Sequence, residues 1–414
     1  MNLPKKLITK GFVLFLKAGS MGIKFVFFSI ILPKKMSVED YGNISLLITT
    51  ITFFIFLVGF DFYNYAHRDF INNSRSLIAS KLLNQFVFNF LLFIILTPIF
   101  YWVMSYNDLP FFSVAIILLF SEYFGQEVYR LLIVFSKPVL ANIILFFRSS
   151  FWVLALLLAN NFYGIKIDTQ NILISWAIGN SLLVVFTILY CFSLDDLVFN
   201  KMKIDLSWIK QGLYVSIPFL LSTITLKIIE LSDRFIINYF YSSTEVGIYS
   251  FYSNISNSLN VVINTTVVIM IYPKILLAFK KKDKKNIPTL IKAYKKEMFI
   301  FLIIAVILLI LFLKPLLNWI GREEYFSNLT TFWVLLMANV FFNISLIPHV
   351  VLYALHKDRE IITPVVFACL INVVLNFILL PIFGMVGAAI ATFVSFLLIM
   401  VLKLGSLRKL NFSI

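Results

Sequence analysis

Three cations fall near the middle of long apolar runs: Lys24, Arg148 and Lys227. A charge at that depth is expensive unless an acid, a backbone carbonyl or a water-filled cavity answers it. Three of them, drawn from both halves of the chain, predict a basic cavity that would hold an anion through charge-assisted hydrogen bonds. Lys17 lies seven residues before Lys24 on the same helical face, which would extend this path one step toward the cytoplasm. The plainer reading is that Lys17 snorkels to lipid headgroups and that Lys24 neutralises an acid on a neighbouring helix.

The acids within apolar runs are Asp61, Glu122, Glu127, Glu230 and Asp233. Lys227 and Glu230 stand i,i+3, and Glu230 and Arg234 i,i+4, so this stretch is expected to be largely self-paired. Glu122 has no such local cation. It either pairs with Arg148 or Lys24 or titrates as a coupling group, and pairing is favoured because unpaired buried acids are the rarer. A second chemistry comes from Asn254, Asn257, Asn260 and Asn264, which share one helical face beside Ser250 and Ser253. Amides that donate and accept suit sugar hydroxyls, and they equally suit bonding between membrane helices. Asn372 and Asn376, i,i+4, read as the latter. No cofactor is expected, since no G-x-x-x-x-G-K-[ST] is present. No metal is expected either: His67, His349 and His356 lack Cys or acidic partners at ligand spacing. Cys191 and Cys369 lie in different apolar runs and form no motif.

Membrane helices must carry these side chains. Hydrophobic residues make up 61% of the 414 and charged residues only 13%, with a mean hydropathy of +0.95. A soluble domain is about 25% charged, so a water-soluble fold is excluded, as are disorder and a disulfide scaffold. Runs long enough to cross a bilayer, about 17 to 25 residues, lie at 11–32, 43–65, 83–104, 111–129, 139–159 and 170–192. Six more follow at 213–237, 247–272, 298–317, 328–354, 363–383 and 387–404. The expected fold is an all-α polytopic membrane protein of about twelve transmembrane helices; uniform apolarity argues against the alternating strands of a β-barrel. The first run follows Lys5, Lys6 and Lys10 but is interrupted by Lys17 and Lys24, so it reads as a retained helix rather than a signal peptide.

With the N-terminus inside, 25 of the 35 Lys and Arg, Lys403 among them, fall in inside loops and termini. The outside loops hold Lys34, Lys35, Lys166 and Arg322. That bias predicts both termini in the cytoplasm. The net charge of +15 is then loop charge, with Lys280–Lys285 an anchor on anionic membrane lipids and no nucleic-acid partner. The basic stretches 193–212 and 274–297 are the longest inside loops, and no outside loop leaves room for a catalytic domain.

The chain divides into an N-terminal six-helix bundle, 1–195, a cytoplasmic linker, 196–212, and a C-terminal six-helix bundle, 213–414. Segments just after the first and seventh runs match at Ser37/Ser242, Asp40/Glu245, Gly42/Gly247 and Ser45/Ser250. Duplication of six spans gives parallel repeats, two bundles around a central cavity, which is the architecture of an alternating-access carrier. At this point the sequence resembles a known group. Pro33-Lys-Lys-Met-Ser-Val-Glu-Asp-Tyr-Gly-Asn-Ile-Ser45 is similar to the segment after helix 1 of polysaccharide flippases in the multidrug/oligosaccharidyl-lipid/polysaccharide exporter superfamily. Leu231-Ser-Asp-Arg-Phe-Ile-Ile237 with Glu245-Val-Gly-Ile-Tyr249 resembles the end of helix 7, and Pro381-Ile-Phe-Gly-Met-Val-Gly-Ala-Ala-Ile-Ala-Thr392 the helix 11–12 hairpin.

The resemblance implies a secondary carrier of the bacterial inner membrane. It would flip an undecaprenyl-pyrophosphate-linked oligosaccharide repeat unit to the outer leaflet for O-antigen or capsule (lipopolysaccharide or capsular polysaccharide) assembly. It implies as partners the lipid-linked oligosaccharide, a polysaccharide polymerase and a chain-length regulator, and assigns Asp233-Arg234 to structural closure near the outer end of helix 7. A pyrophosphate diester carries about two negative charges, which Lys24, Arg148, Lys227 and Lys17 would answer. Two alternatives stand beside it: a cation-coupled multidrug exporter of the same fold, whose cleft would more naturally offer acids and aromatics, and a membrane polymerase or glycosyltransferase. An enzyme is disfavoured by the short outer loops.

Overall fold

A bilayer leaves backbone N–H and C=O groups no partner but each other, so apolar runs of this length become helices. The structure, a computed structural model, describes residues 3–72, 75–192, 203–283 and 285–410. Helix α1, Leu3–Val26, continues through a π-turn, Phe27–Ile31, to Lys35; α2 is Val38–Gly59, α3 the short Tyr63–Asn72, α4 Arg75–Tyr106 and α5 Phe112–Val134. Helix α6, Pro138–Phe146, passes through a π-turn, Phe147–Phe151, into α7, Trp152–Tyr163, and α8 is Thr169–Phe192. Then come α9, Leu206–Phe240, and α10, Ser243–Ile263, which a π-turn at Asn264–Val268 joins to α11, Ile269–Lys280. The last four are α12, Asn286–Ile320, α13, Leu329–Ala354, α14, Asp358–Phe383, and α15, Met385–Lys409. Among the described residues no strand occurs. Among the described residues eleven rods are long and apolar enough to span a membrane. The twelfth, α5, has 23 residues but carries Glu122, Glu127 and Arg130. The all-α, polytopic architecture of about twelve helices is thus the one the sequence leads one to expect.

Contacts divide the chain into two compact units: Met1–Met36 with Asn43–Ile224, and Ser37–Gly42 with Thr225–Ile414. The boundary between these units falls inside α9; of the expected linker, 196–212, residues 196–202 lie outside the described residues. The cause is local. Helix α9 starts at Leu206, seven residues before the apolar run, because Asp205 caps it. The Asp205 carboxylate accepts from the Ser207 hydroxyl at 2.6 Å and from the Trp208 amide at 3.0 Å, and these bonds hold its pKa below the usual carboxylate value. Trp208 then packs on Phe62 with ring centroids 5.4 Å apart and donates to Asp69 at 2.9 Å. Polar residues that favour helix extend it beyond the bilayer-matched run. The same holds at 274–297, expected as loop, where only 281–285 break the helix and Lys284 lies outside the described residues. Asp61, read as part of the second span, sits instead in the turn after α2 with a positive φ of 49°. It is buried there and accepts from Thr223.

The repeated motif builds the same device twice. Ser37 Oγ accepts from the Asp40 amide at 3.0 Å and donates to the Asp40 carboxylate at 2.6 Å. Ser242 Oγ accepts from the Thr244 amide at 3.3 Å and donates to Glu245. Each pair caps the helix that follows it. Within the second unit the two helix starts meet at their glycines: a Cβ on Gly42 would lie 1.7 Å from the Ser243 carbonyl oxygen, and one on Gly247 2.2 Å from that of Val38. Only glycine permits backbones this close.

Candidate functional site

In the first unit, Glu122 of α5 is buried and is the hub of a polar cluster. Its Oε2 lies 3.2 Å from Arg148 Nε. Its Oε1 accepts from Trp176 Nε1 at 2.6 Å and Asn180 Nδ2 at 3.1 Å, both on α8. Arg148 sits in the π-turn between α6 and α7, and Gly125 of α5 leaves the space its chain occupies: a Cβ there would lie 3.0 Å from Arg148 Cδ. The Arg148 Nη1 is buried without a hydrogen-bond partner. Lys24, half-buried on α1, holds its ammonium 4.8 Å from the Trp176 ring centre and 5.8 Å from Phe28. It feels both Glu122 and Arg148 electrostatically. Trp176 stacks on Trp152 at 5.4 Å, fixing the ring that meets the lysine.

Two cations and one carboxylate leave this cluster with one surplus positive charge. Glu122 is thus paired with Arg148, and the charge left over belongs to Lys24, which aromatic faces stabilise. Lys17 is half-buried two turns earlier on α1. Glu127 belongs to a separate group, with Arg130 at 2.6 Å and Gln85 at 2.9 Å.

The second unit uses its charges differently. Lys227 pairs with Glu230 at 2.6 Å as the spacing suggested. The expected Glu230–Arg234 ion pair does not form: Arg234 Nη1 donates to the Glu230 backbone carbonyl at 3.0 Å. Its other donors reach Ser250 at 3.1 Å and Ser253 at 3.2 Å, because α10 brings two hydroxyls closer than the carboxylate that Lys227 already holds. Asp233 accepts from Tyr249 of α10, from Asn376 of α14 at 2.9 Å and from Thr392 of α15 at 2.6 Å, tying four helices together. On α10, Asn254 donates to the Tyr41 hydroxyl at 3.1 Å and Asn257 to Ser253 at 3.4 Å. Asn260 donates to Asn339 at 2.7 Å and accepts from Asn343 at 2.5 Å, which makes it a bond between helices. Asn264 is exposed, at the start of a π-turn.

Two features escaped sequence reasoning. One is the set of π-turns, of which one begins three residues after Lys24, one contains Arg148 and one begins at Asn264. Such π-turns inside α-helices are rare and occur often at functional sites. Nothing in residue type marks them. The other is Lys403, placed by sequence in a cytoplasmic tail and found buried in α15 beside His349. Among the described residues no group of three His, Cys, Asp or Glu could hold a metal ion.

Long apolar helices with charges enclosed among them are those of a multi-pass membrane protein. Residues 8–278 match the sequence profile of the family described as "Polysaccharide biosynthesis protein", well over half of the chain, and the protein belongs to that family. Its fold is that of the MOP superfamily. An inward-facing multidrug resistance MATE family transporter of that superfamily superposes with a TM-score of 0.76 at 11% identity, over 96% of this chain and 95% of the other. The MATE transporter VcmN of Vibrio cholerae gives 0.62 at 11% identity, over 97% and 95%. A MOP superfamily transporter from Pyrococcus furiosus, described as having a binding pocket of reversed polarity that suggests a different function, gives 0.62 at 11% identity, over 96% and 93%. No curated protein matches the sequence.

Proposed function

We propose that this transporter flips an undecaprenyl-pyrophosphate-linked oligosaccharide repeat unit from the inner to the outer leaflet by alternating access. Its setting is the bacterial inner membrane, with both termini cytoplasmic, in O-antigen or capsular polysaccharide assembly alongside a polymerase and a chain-length regulator. It acts as a carrier and not as an enzyme. Membership of the polysaccharide biosynthesis family supports the glycan. The observation that carries the reading is the surplus cation at Lys24, since a multidrug carrier of cations would need the opposite sign. Lys24 and Arg148 Nη1 answer the pyrophosphate, with Lys17 two turns before Lys24 on the same helix; Lys227, in the second unit, is held by Glu230. Asn254, Asn257 and Asn264 meet sugar hydroxyls, whereas Asn260 is occupied between helices.

Lys24→Ala leaves Glu122 and Arg148 balanced, so protein abundance is expected to hold while surface glycan disappears. Arg148→Ala removes the partner that Glu122 holds at 3.2 Å, so abundance is expected to fall together with export, and Lys24→Ala is the variant that separates the two. Lys24→Arg keeps the charge in a different shape and should retain part of the export. Immunoblots of protein and surface glycan in a complemented deletion strain read all three. Wild-type glycan from both alanine variants would remove the anion role.

A further inference from the structure

Lys403 is 5% exposed on α15, where that helix packs along α13. Four other cations among the described residues are answered by carboxylates: Lys81 by Asp69, Arg130 by Glu127, Arg148 by Glu122 and Lys227 by Glu230. Lys403 faces a second base. Its Nζ lies 3.3 Å from Nδ1 of His349 on α13. Tyr353, one turn further along α13, stacks on the imidazole with centroids 6.5 Å apart. Tyr272 of α11 lies over Tyr353 at 6.0 Å, and Tyr294 of α12 is buried nearby in the same group of helices. From α14, the first-turn groups Asp358, Arg359 and Glu360 make no hydrogen bond or ion pair with Lys403 or His349 among the described residues. The imidazole of His349 is therefore the polar group that the lysine meets, with the tyrosine rings packed beyond it.

Two bases at hydrogen-bonding distance, away from water and without an acid, cannot both hold protons, because the like charges would repel through a poorly screening medium. They can share one. The ammonium donates to Nδ1, and loss of that proton to water leaves a neutral amine bonded to a neutral imidazole. A lysine with a carboxylate partner would lock its proton; this one is free to exchange it. We propose that Lys403 and His349 form a single-proton site, and that its loading and unloading drive the export cycle. The second half rests on the carrier reading above; the first does not.

The test uses full-length protein in nanodiscs, with lysines labelled at the ε-carbon and followed by NMR from about pH 6 to about pH 9, a window in which an ordinary lysine stays charged. The expected result is one resonance that titrates in this window, is absent from Lys403→Met and moves its midpoint in His349→Gln. In parallel, Lys403→Met in cells should keep its abundance, because no opposite charge is left unpaired, and lose glycan export. A Lys403 resonance that stays in its ammonium form through pH 9 overturns the site whatever the cargo. Normal export by Lys403→Met, in cells whose glycan depends on this protein, overturns its role in the cycle. A titrating resonance in a protein that cells do not need for any surface glycan would instead sink the cargo reading and leave the proton site standing.

Discussion

Glu122→Ala is expected to reduce the amount of folded protein sharply. The carboxylate holds Arg148 at 3.2 Å and receives Trp176 and Asn180. Its removal leaves a buried guanidinium and a lysine of the same sign, together with two orphaned donors. Losing one partner of a buried pair costs about 3–5 kcal/mol, a large share of the roughly 5–15 kcal/mol that holds a typical protein folded. A compensating change follows from the same electrostatics. Glu122→Ala with Arg148→Met removes both members of the pair and should restore abundance. Glu122→Gln keeps an oxygen for Trp176 and Asn180 while losing the charge, so its abundance should fall between wild type and Glu122→Ala. Normal abundance of Glu122→Gln with absent export, unrescued at Arg148 or Lys24, would mean that Glu122 carries a coupling proton.

Gly42→Ala has a comparable effect by a steric route. The added Cβ would stand 1.7 Å from the Ser243 carbonyl oxygen, and that of Gly247→Ala 2.2 Å from the Val38 carbonyl oxygen. Backbone atoms at a capped helix start cannot rotate away as a side-chain tip can. Overpacking typically costs about 1–3 kcal/mol, and these clashes belong at or above the upper end. Gly19 and Gly22 provide the control, for a Cβ there meets nothing within 4 Å. Alanine at those sites should be harmless or should stabilise α1 by up to about 1 kcal/mol through helix propensity. Thermal unfolding in detergent, followed by size-exclusion chromatography, ranks the four variants. Equal stability of Gly42→Ala and Gly19→Ala would refute the close crossing.

The spans were legible because a hydropathy run reports what a bilayer demands, and α13 and α14 fall within a few residues of expectation. Helix ends were less so. Hydropathy marks where lipid ends, whereas Asp205 and Trp208 start α9 in water and Lys274 continues α11 past the apolar run. The pairings followed the same divide. Lys227–Glu230 is local and could be read from spacing. Glu122 to Arg148 depends on which helices become neighbours, so sequence could only pose the alternatives. The Glu230–Arg234 pair failed because spacing ignores hydroxyls supplied by another helix, here Ser250 and Ser253. Lys403 was counted with the charges of the inside loops and termini, because nothing near the end of an apolar run shows that a histidine of another helix lies beside it.

The most direct measurement follows the cargo itself. Purified protein is reconstituted into liposomes with the lipid-linked repeat unit extracted from a strain lacking the flippase, and exposure of the sugar in each leaflet is read with an impermeant lectin. Wild type is expected to redistribute the lipid between leaflets, and Lys24→Ala to leave it where it was placed. A wild-type protein that moves no glycolipid, yet extrudes a cationic dye from the same liposomes, would contradict the flippase reading and the role given to Lys24.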